Sequence, residues 1–204
     1  VKLSQTHQHP CVLLPYRPIQ ARSVIGDLFV SFFYLFAQLG LTQEEPQKHI
    51  RSLVGLLSIL RDQYQPQISC SENRAKTLAH QLKNTLPVIY TSEPLWAAAV
   101  RWQKQLNENS KIVAHINTLP AMNHDEIIGW DNPDPWLPYL QPVFLRDVKQ
   151  EPVSLQKRLE LTQGILEERI RRPALVIEAQ GSSVLERLFS HIYLADWVSF
   201  YLAI

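Results

Sequence analysis

The sequence predicts an α/β fold: a doubly wound parallel sheet in three α/β/α layers, preceded by a helical arm. Two observations lead there. After Leu86, short apolar runs rich in β-branched residues alternate with longer amphipathic stretches. Runs of about four to eight such residues, separated by helices, mark strands buried on both faces of a parallel sheet. Before residue 70 the pattern is helical, and no internal repeat or low-complexity segment interrupts the chain. The expected division is residues 1–70, a linker strand and helical arm, and residues 71–204, the α/β unit.

The elements follow in order. Val12-Leu13-Leu14 reads as a short strand ending at Pro15. Ile19 to Leu41 is very apolar, broken by Asp27, Ser31 and Gln38. About eighteen apolar residues is the lower edge for a membrane span. Asp27 lies inside the stretch, however, and no basic cluster flanks it. It reads as a buried or subunit-interface helix, with a membrane span as the alternative. From Glu44 to Asp62, Ile50, Leu53, Val54, Leu57 and Leu60 share one helical face. Ser71 to Leu82 is a third helix, turning Ala75, Leu78, Ala79 and Leu82 inward. Pro87 to Tyr90 is a strand, Leu95 to Asn107 a helix, and Ile112 to Ala114 a second strand. Pro142 to Leu145 is a strand before a charged helix from about Val153 to Arg171. Ala174 to Ile177 is the last strand, before a helix from Val184 to Ala203. Ser183 and Glu186 form a capping box for that helix.

Composition excludes several functions. Of 204 residues, 46% are hydrophobic and 19% charged, enough for a real core. Twenty Lys+Arg against nineteen Asp+Glu give a net charge of +1, with no electrostatic case for nucleic acid or an anionic membrane. The six glycines are dispersed, so neither a dinucleotide fingerprint nor a P-loop is present. Cys11 and Cys70 lack metal-ligand spacing and are too few for a disulfide framework, which points to a reducing, cytoplasmic setting. No metal and no cofactor are expected. The sequence opens at Val1 with its one Met at 122 and no targeting signal, and so reads as a piece of a longer frame.

In open α/β sheets, ligands bind at the carboxyl ends of the strands. Thr91-Ser92-Glu93-Pro94 follows the first strand and could present free amides to an anion, or simply cap the next helix. The most unusual segment is Pro120 to Trp130, PAMNHDEIIGW. It holds a carboxylate, Glu126, and an imidazole, His124, against an apolar Ile-Ile-Gly-Trp wall. Such a wall favours a carboxylate as general base near neutral pH. From periodicity alone, a capped surface turn explains the same residues. Of the remaining histidines, His7 and His9 lie near a chain end and His49, His80 and His191 on helices.

Two segments carry a family resemblance. Ala98 to Lys111, AAVRWQKQLNENSK, and Asn123 to Trp130, NHDEIIGW, resemble the C-terminal sugar isomerase (SIS) domain of bifunctional phosphoglucose/phosphomannose isomerases. Asp196 to Ala203 is similar to the same family's penultimate helix, and Pro18 to Gly26 resembles its interdomain linker more loosely. The resemblance implies a SIS-like fold and the C-terminal part of an aldose–ketose isomerase. Its substrates are glucose-6-phosphate or mannose-6-phosphate, its product fructose-6-phosphate, and its route a cis-enediol. It implies Glu126 and His124 as catalytic residues, Arg22 and Asn123 as substrate-binding residues, a sugar phosphate as ligand and a homodimer. Three departures accompany it. Nothing resembles the N-terminal SIS domain, and the sequence stops before the family's C-terminal lysine helix. Residues 147–152, where the family places a ring-opening histidine, contain none. Together with Ala121 in place of the usual glutamate, these departures leave an alternative: a non-catalytic SIS module for sugar-phosphate binding or protein interaction. A helical interaction protein using the Val24 to Leu41 face is the third reading.

Overall fold

The computed structural model describes residues 2–9, 11–14, 20–131 and 135–204. The chain divides into two compact units, Val1–Ser52 and Leu53–Ile204. The first holds α1 (Lys2–His7), a single 3-10 turn at Ala21–Ser23, α2 (Ile25–Gln38) and the start of α3 (Pro46–Tyr64). Val12 to Leu14 form no strand and are exposed, since no neighbouring strand offers them a ladder. Pro15 and the Pro18-Ile19 start of the linker match lie outside the described residues. α2 does not become a buried helix: it has no buried residue, and Phe32 is 54% exposed. No helix among the described residues is long and apolar enough to cross a membrane.

The second unit is the expected α/β fold. Four strands, β1 (Leu86–Ser92), β2 (His115–Leu119), β3 (Leu140–Arg146) and β4 (Leu175–Glu178), form one sheet in the order β2-β1-β3-β4. Every pairing is parallel. From β1 the chain moves outward to β2, then returns to the other side of β1 for β3 and β4. Adjacent β1 and β3 are therefore a topological switch point, at whose carboxyl ends open α/β sheets generally bind ligands.

Helices cover both faces. On one, Leu60 and Tyr64 of α3, Leu78 and Leu82 of α4 (Arg74–Leu82), Trp102 of α5 (Trp96–Gln105) and Val198 of α7 (Val184–Ala203) pack with Ile89, Val143 and Ile177. On the other, Leu159, Leu166 and Ile170 of α6 (Val153–Ile170) pack with Val88, Tyr90, Phe144, Met122 and Trp130. Alternate strand residues feed the two cores, as the pleat requires. Strand positions buried on both faces explain why these segments read as continuous apolar runs.

The helix ends obey local chemistry. Asn73 caps α4, its side chain accepting from Ala75 N and Lys76 N, so the helix begins at Arg74 and not at Ser71. The Ser183/Glu186 capping box of α7 is present. One strand is displaced: Ile112 to Ala114 are irregular, and the ladder starts at His115. The cause lies upstream, where α5 runs on through a π turn, Leu106–Ser110, and Lys111 turns left-handed (φ 59°). Those extra residues carry the chain along the sheet before it can pair with Val88.

Candidate active site

Glu126 sits between two 3-10 turns, Ala121–Asn123 and Ile127–Asp131, that follow β2. Its backbone is anchored, with its N–H donating to Met122 O (3.1 Å) and Asp125 Oδ1 (2.7 Å). Met122 and Trp130 on either side are buried. Local anchoring thus returns the carboxylate to the sheet, with 22% of its side chain still exposed.

Three side chains from two neighbouring strands meet it. Tyr90 of β1 donates its hydroxyl to Oε1 at 2.5 Å. Asn117 of β2 donates its amide to Oε2 at 2.5 Å, and His115 Nε2 lies 3.0 Å from the same oxygen. The register explains the convergence. Tyr90 pairs with Asn117 and Val88 with His115, so these four side chains share one face. β2 is an edge strand, which leaves 59% of the His115 side chain in solvent beside the carboxylate.

Two of these donors are themselves fixed. Trp130 Nε1 donates to the Tyr90 hydroxyl at 3.0 Å, which turns the phenolic proton toward Glu126. Thr118 N donates to Asn117 Oδ1 at 2.8 Å, which leaves the amide NH2 to face the carboxylate. Burial pushes the Tyr90 phenol well above its ordinary range, and the Glu126 hydrogen bond and charge act the same way, against the Trp130 donation. The phenol stays a neutral donor. A carboxylate held by neutral donors in a half-buried site has the makings of a general base with a defined orientation.

The other expected residues are placed differently. His124 is exposed and, among the described residues, makes no hydrogen bond to Glu126. Asn123 turns toward α6, donating to Thr162 Oγ1 at 2.8 Å. Arg22 lies in the Ala21–Ser23 turn of the N-terminal unit. The sequence reading missed Tyr90, Asn117 and His115. Their signal was a polar residue at every second position, His115 and Asn117, just before the carboxylate segment; placing the strand at 112–114 hid it.

The 147–152 stretch after β3 is occupied by ion pairs. Arg187 Nε donates to Asp147 Oδ2 at 2.8 Å and Arg146 Nε to Glu151 Oε2 at 2.8 Å, all four residues being buried. An imidazole does reach this region, from α7: His191 Nε2 is 3.1 Å from Arg146 O. It is 1% exposed and closed to a ligand. Among the described residues, no group of three or more His, Cys, Asp or Glu could hold a metal ion.

Comparison with known proteins gives a consistent family. A model described as the bacterial phospho-glucose isomerase C-terminal SIS domain matches residues 71–204. A bifunctional phosphoglucose/phosphomannose isomerase of Caldicellulosiruptor bescii is 36% identical over 189 residues, covering 91% of this chain and 54% of the relative. The enzyme of that name from Aquifex aeolicus is 36% identical over 133 residues, 65% of this chain and 40% of its own. The chain thus spans about half the length of the first relative and less of the second. Among solved structures, a glucose-6-phosphate isomerase like protein from Thermus thermophilus superposes with a TM-score of 0.62 at 23% identity, over 78% of this chain and 52% of that one. The C-terminal domain of glucosamine-fructose-6-phosphate aminotransferase from Francisella tularensis gives 0.52 at 13% identity, over 82% and 46%. At such identities the structures speak for the SIS-like fold.

Proposed function

The chain belongs to the family of bacterial phospho-glucose isomerase C-terminal SIS domains, and we propose that it is the C-terminal part of an aldose–ketose isomerase. Its substrates in this reading are glucose-6-phosphate or mannose-6-phosphate, with fructose-6-phosphate as product. The names of its relatives support the sugar phosphates. Residues 71–204 are the proposed domain, and 1–70 the linker and arm.

In this proposal Glu126 is the base. It removes the C2 proton of the open-chain aldose phosphate. The freed electron pair forms the C1–C2 double bond, and the C1 carbonyl oxygen gains a proton, giving a cis-enediol. Return of the proton to C1, with loss of the O2 proton, leaves the C2 ketone. One carboxylate serves both adjacent carbons by a small swing. The observation that carries the reading is the arrangement of Glu126, its oxygens held by Tyr90 and Asn117 while its edge faces solvent.

Other residues take assigned parts. Arg22 is proposed to offset charge on the enediol oxygens. His124 is exposed near Glu126 and available to the sugar. Asn123 is proposed to bind the substrate, its amide meanwhile donating to Thr162 Oγ1 of α6. His115 is the imidazole nearest the base. A homodimer belongs to the same proposal, supported by the exposed apolar face of α2. The setting proposed for it is the cytoplasm.

The test is fructose-6-phosphate formation from mannose-6-phosphate by the product of the uninterrupted reading frame, beside its Glu126→Gln variant. Turnover falling about 100- to 10,000-fold in a folded variant is the expected result, the range a general base contributes. The 204-residue chain alone is expected to show no turnover, because phosphate binding away from the reacting carbons supplies much of the rate. Binding of fructose-6-phosphate without turnover by the folded wild type moves the assignment to a non-catalytic module.

A further inference from the structure

We propose that Tyr90 is a positioning residue for the base, aiming the Glu126 carboxylate through a fixed hydrogen-bond chain that begins at Trp130. The inference rests on the reading of Glu126 as base and adds to it a residue outside the motif.

The geometry supplies the argument. Trp130 Nε1 carries a hydrogen and no acceptor lone pair, so at 3.0 Å it can only donate to the Tyr90 oxygen. The single phenolic proton is then directed at its acceptor, Glu126 Oε1, 2.5 Å away. Polarity along Trp130, Tyr90 and Glu126 is fixed. Both donors are rigid. Tyr90 is fully buried, its ring 5.5 Å from that of Phe144, and Trp130 is 4% exposed. Oε1 is therefore tied to the core. Oε2, which meets Asn117 and the exposed His115, lies on the side open to solvent. Tyr90 thus sets the plane of the carboxylate from the core side. The titratable groups facing the carboxylate are Tyr90 from β1, His115 from β2 and the adjoining Asp125, which accepts from the Glu126 N–H.

Tyr90→Phe keeps the ring and removes only the donor. In the product of the uninterrupted reading frame it is expected to lower kcat about 10- to 100-fold, the range for one hydrogen bond to a charged group, with little change in KM. A purely structural role for Tyr90 lowers the melting temperature and leaves kcat of the folded variant near the wild-type value. A second readout is independent of activity: the Trp130 indole N–H resonance of the 204-residue chain. It should shift in Tyr90→Phe, and the shift that Glu126→Gln causes should shrink in the Tyr90→Phe background, since the Tyr90 hydroxyl is the side-chain link between the two residues. An unchanged kcat in folded Tyr90→Phe, or a Glu126→Gln indole shift that persists in full in the Tyr90→Phe background, overturns the proposal. Full activity in Glu126→Gln instead overturns the reading of the base.

Discussion

At the scale of single residues, His191 shows how burial turns an ordinary side chain into a pH-sensitive structural part. Its Nε2 faces Arg146 O, so in the neutral ring that nitrogen carries the proton, and buried Nδ1 has no hydrogen-bond partner among the described residues. Burial pushes the imidazole down to about 4, overcoming the backbone bond and nearby Asp147, which work the other way. The sign follows directly. The unfolded chain takes up a proton near pH 6.5 and the folded chain not until about 4, so the unfolded state binds more protons in between and stability falls as pH drops through that window. The loss from this one group is about 3 kcal/mol by pH 4. Urea unfolding at pH 7, 5.5 and 4.5 should show it, and His191→Gln should flatten that part of the decline; parallel declines in the two proteins refute the account. Glu126 was legible at this scale because an acid beside an Ile-Ile-Gly-Trp wall is unusual. Tyr90 was not, because a tyrosine in a buried strand looks like any core aromatic until its hydroxyl is seen to have partners.

At the scale of elements, the motif that carried most of the family resemblance turns out to join two helices. Arg101 of α5 reaches Asp196 of α7 through Nε and a terminal nitrogen, each at 2.9 Å, and Gln105 adds a third donor at 2.5 Å. Trp102 Nε1 donates to His191 O at 3.0 Å. In the π turn after α5, Asn109 donates to Ser199 Oγ and Ser110 to Ser199 O. Arg101, Gln105, Asn109 and Ser110 of AAVRWQKQLNENSK thus face α7, and this clasp fixes the π turn that sets where β2 begins. Burial raises the Asp196 carboxyl, opposed by Arg101 and Gln105, so removing the cation leaves an acid in a poor environment. Arg101→Met should cost about 2 kcal/mol, and Arg101→Met/Asp196→Leu less than the sum of the single changes. A double-mutant cycle by urea denaturation measures the coupling, and strict additivity contradicts the clasp.

At the scale of the whole molecule, the two units differ in how their apolar residues are used. In the Leu53–Ile204 unit, two buried cores sandwich the sheet. In α2, Leu28, Phe32 and Phe36 stay exposed at 41%, 54% and 46%. Large exposed aromatic residues on one helix mark an interaction surface. In the proposed homodimer, Phe32→Glu together with Phe36→Glu should convert dimer to monomer in sedimentation velocity, without loss of the α/β unit's circular dichroism. A dimer unchanged by both charges removes α2 from the interface.

The sequence by itself determined the fold class and most of the element order, and it marked out the segment that carries Glu126. Hydrophobic period, apolar run length and capping residues are local quantities, and Ser183 with Glu186 or the run at 142–145 needs nothing distant to be read. Tertiary structure alone decided the start of β2, and with it the convergence on Glu126. Whether His115 is strand or loop depends on a π turn held by α7, some ninety residues away in the chain. Tyr90 and Asn117 become neighbours only when β1 and β2 pair in register. A site made of side chains from separate strands is a property of that register, and strand register is set by packing between elements, which no short window of sequence contains.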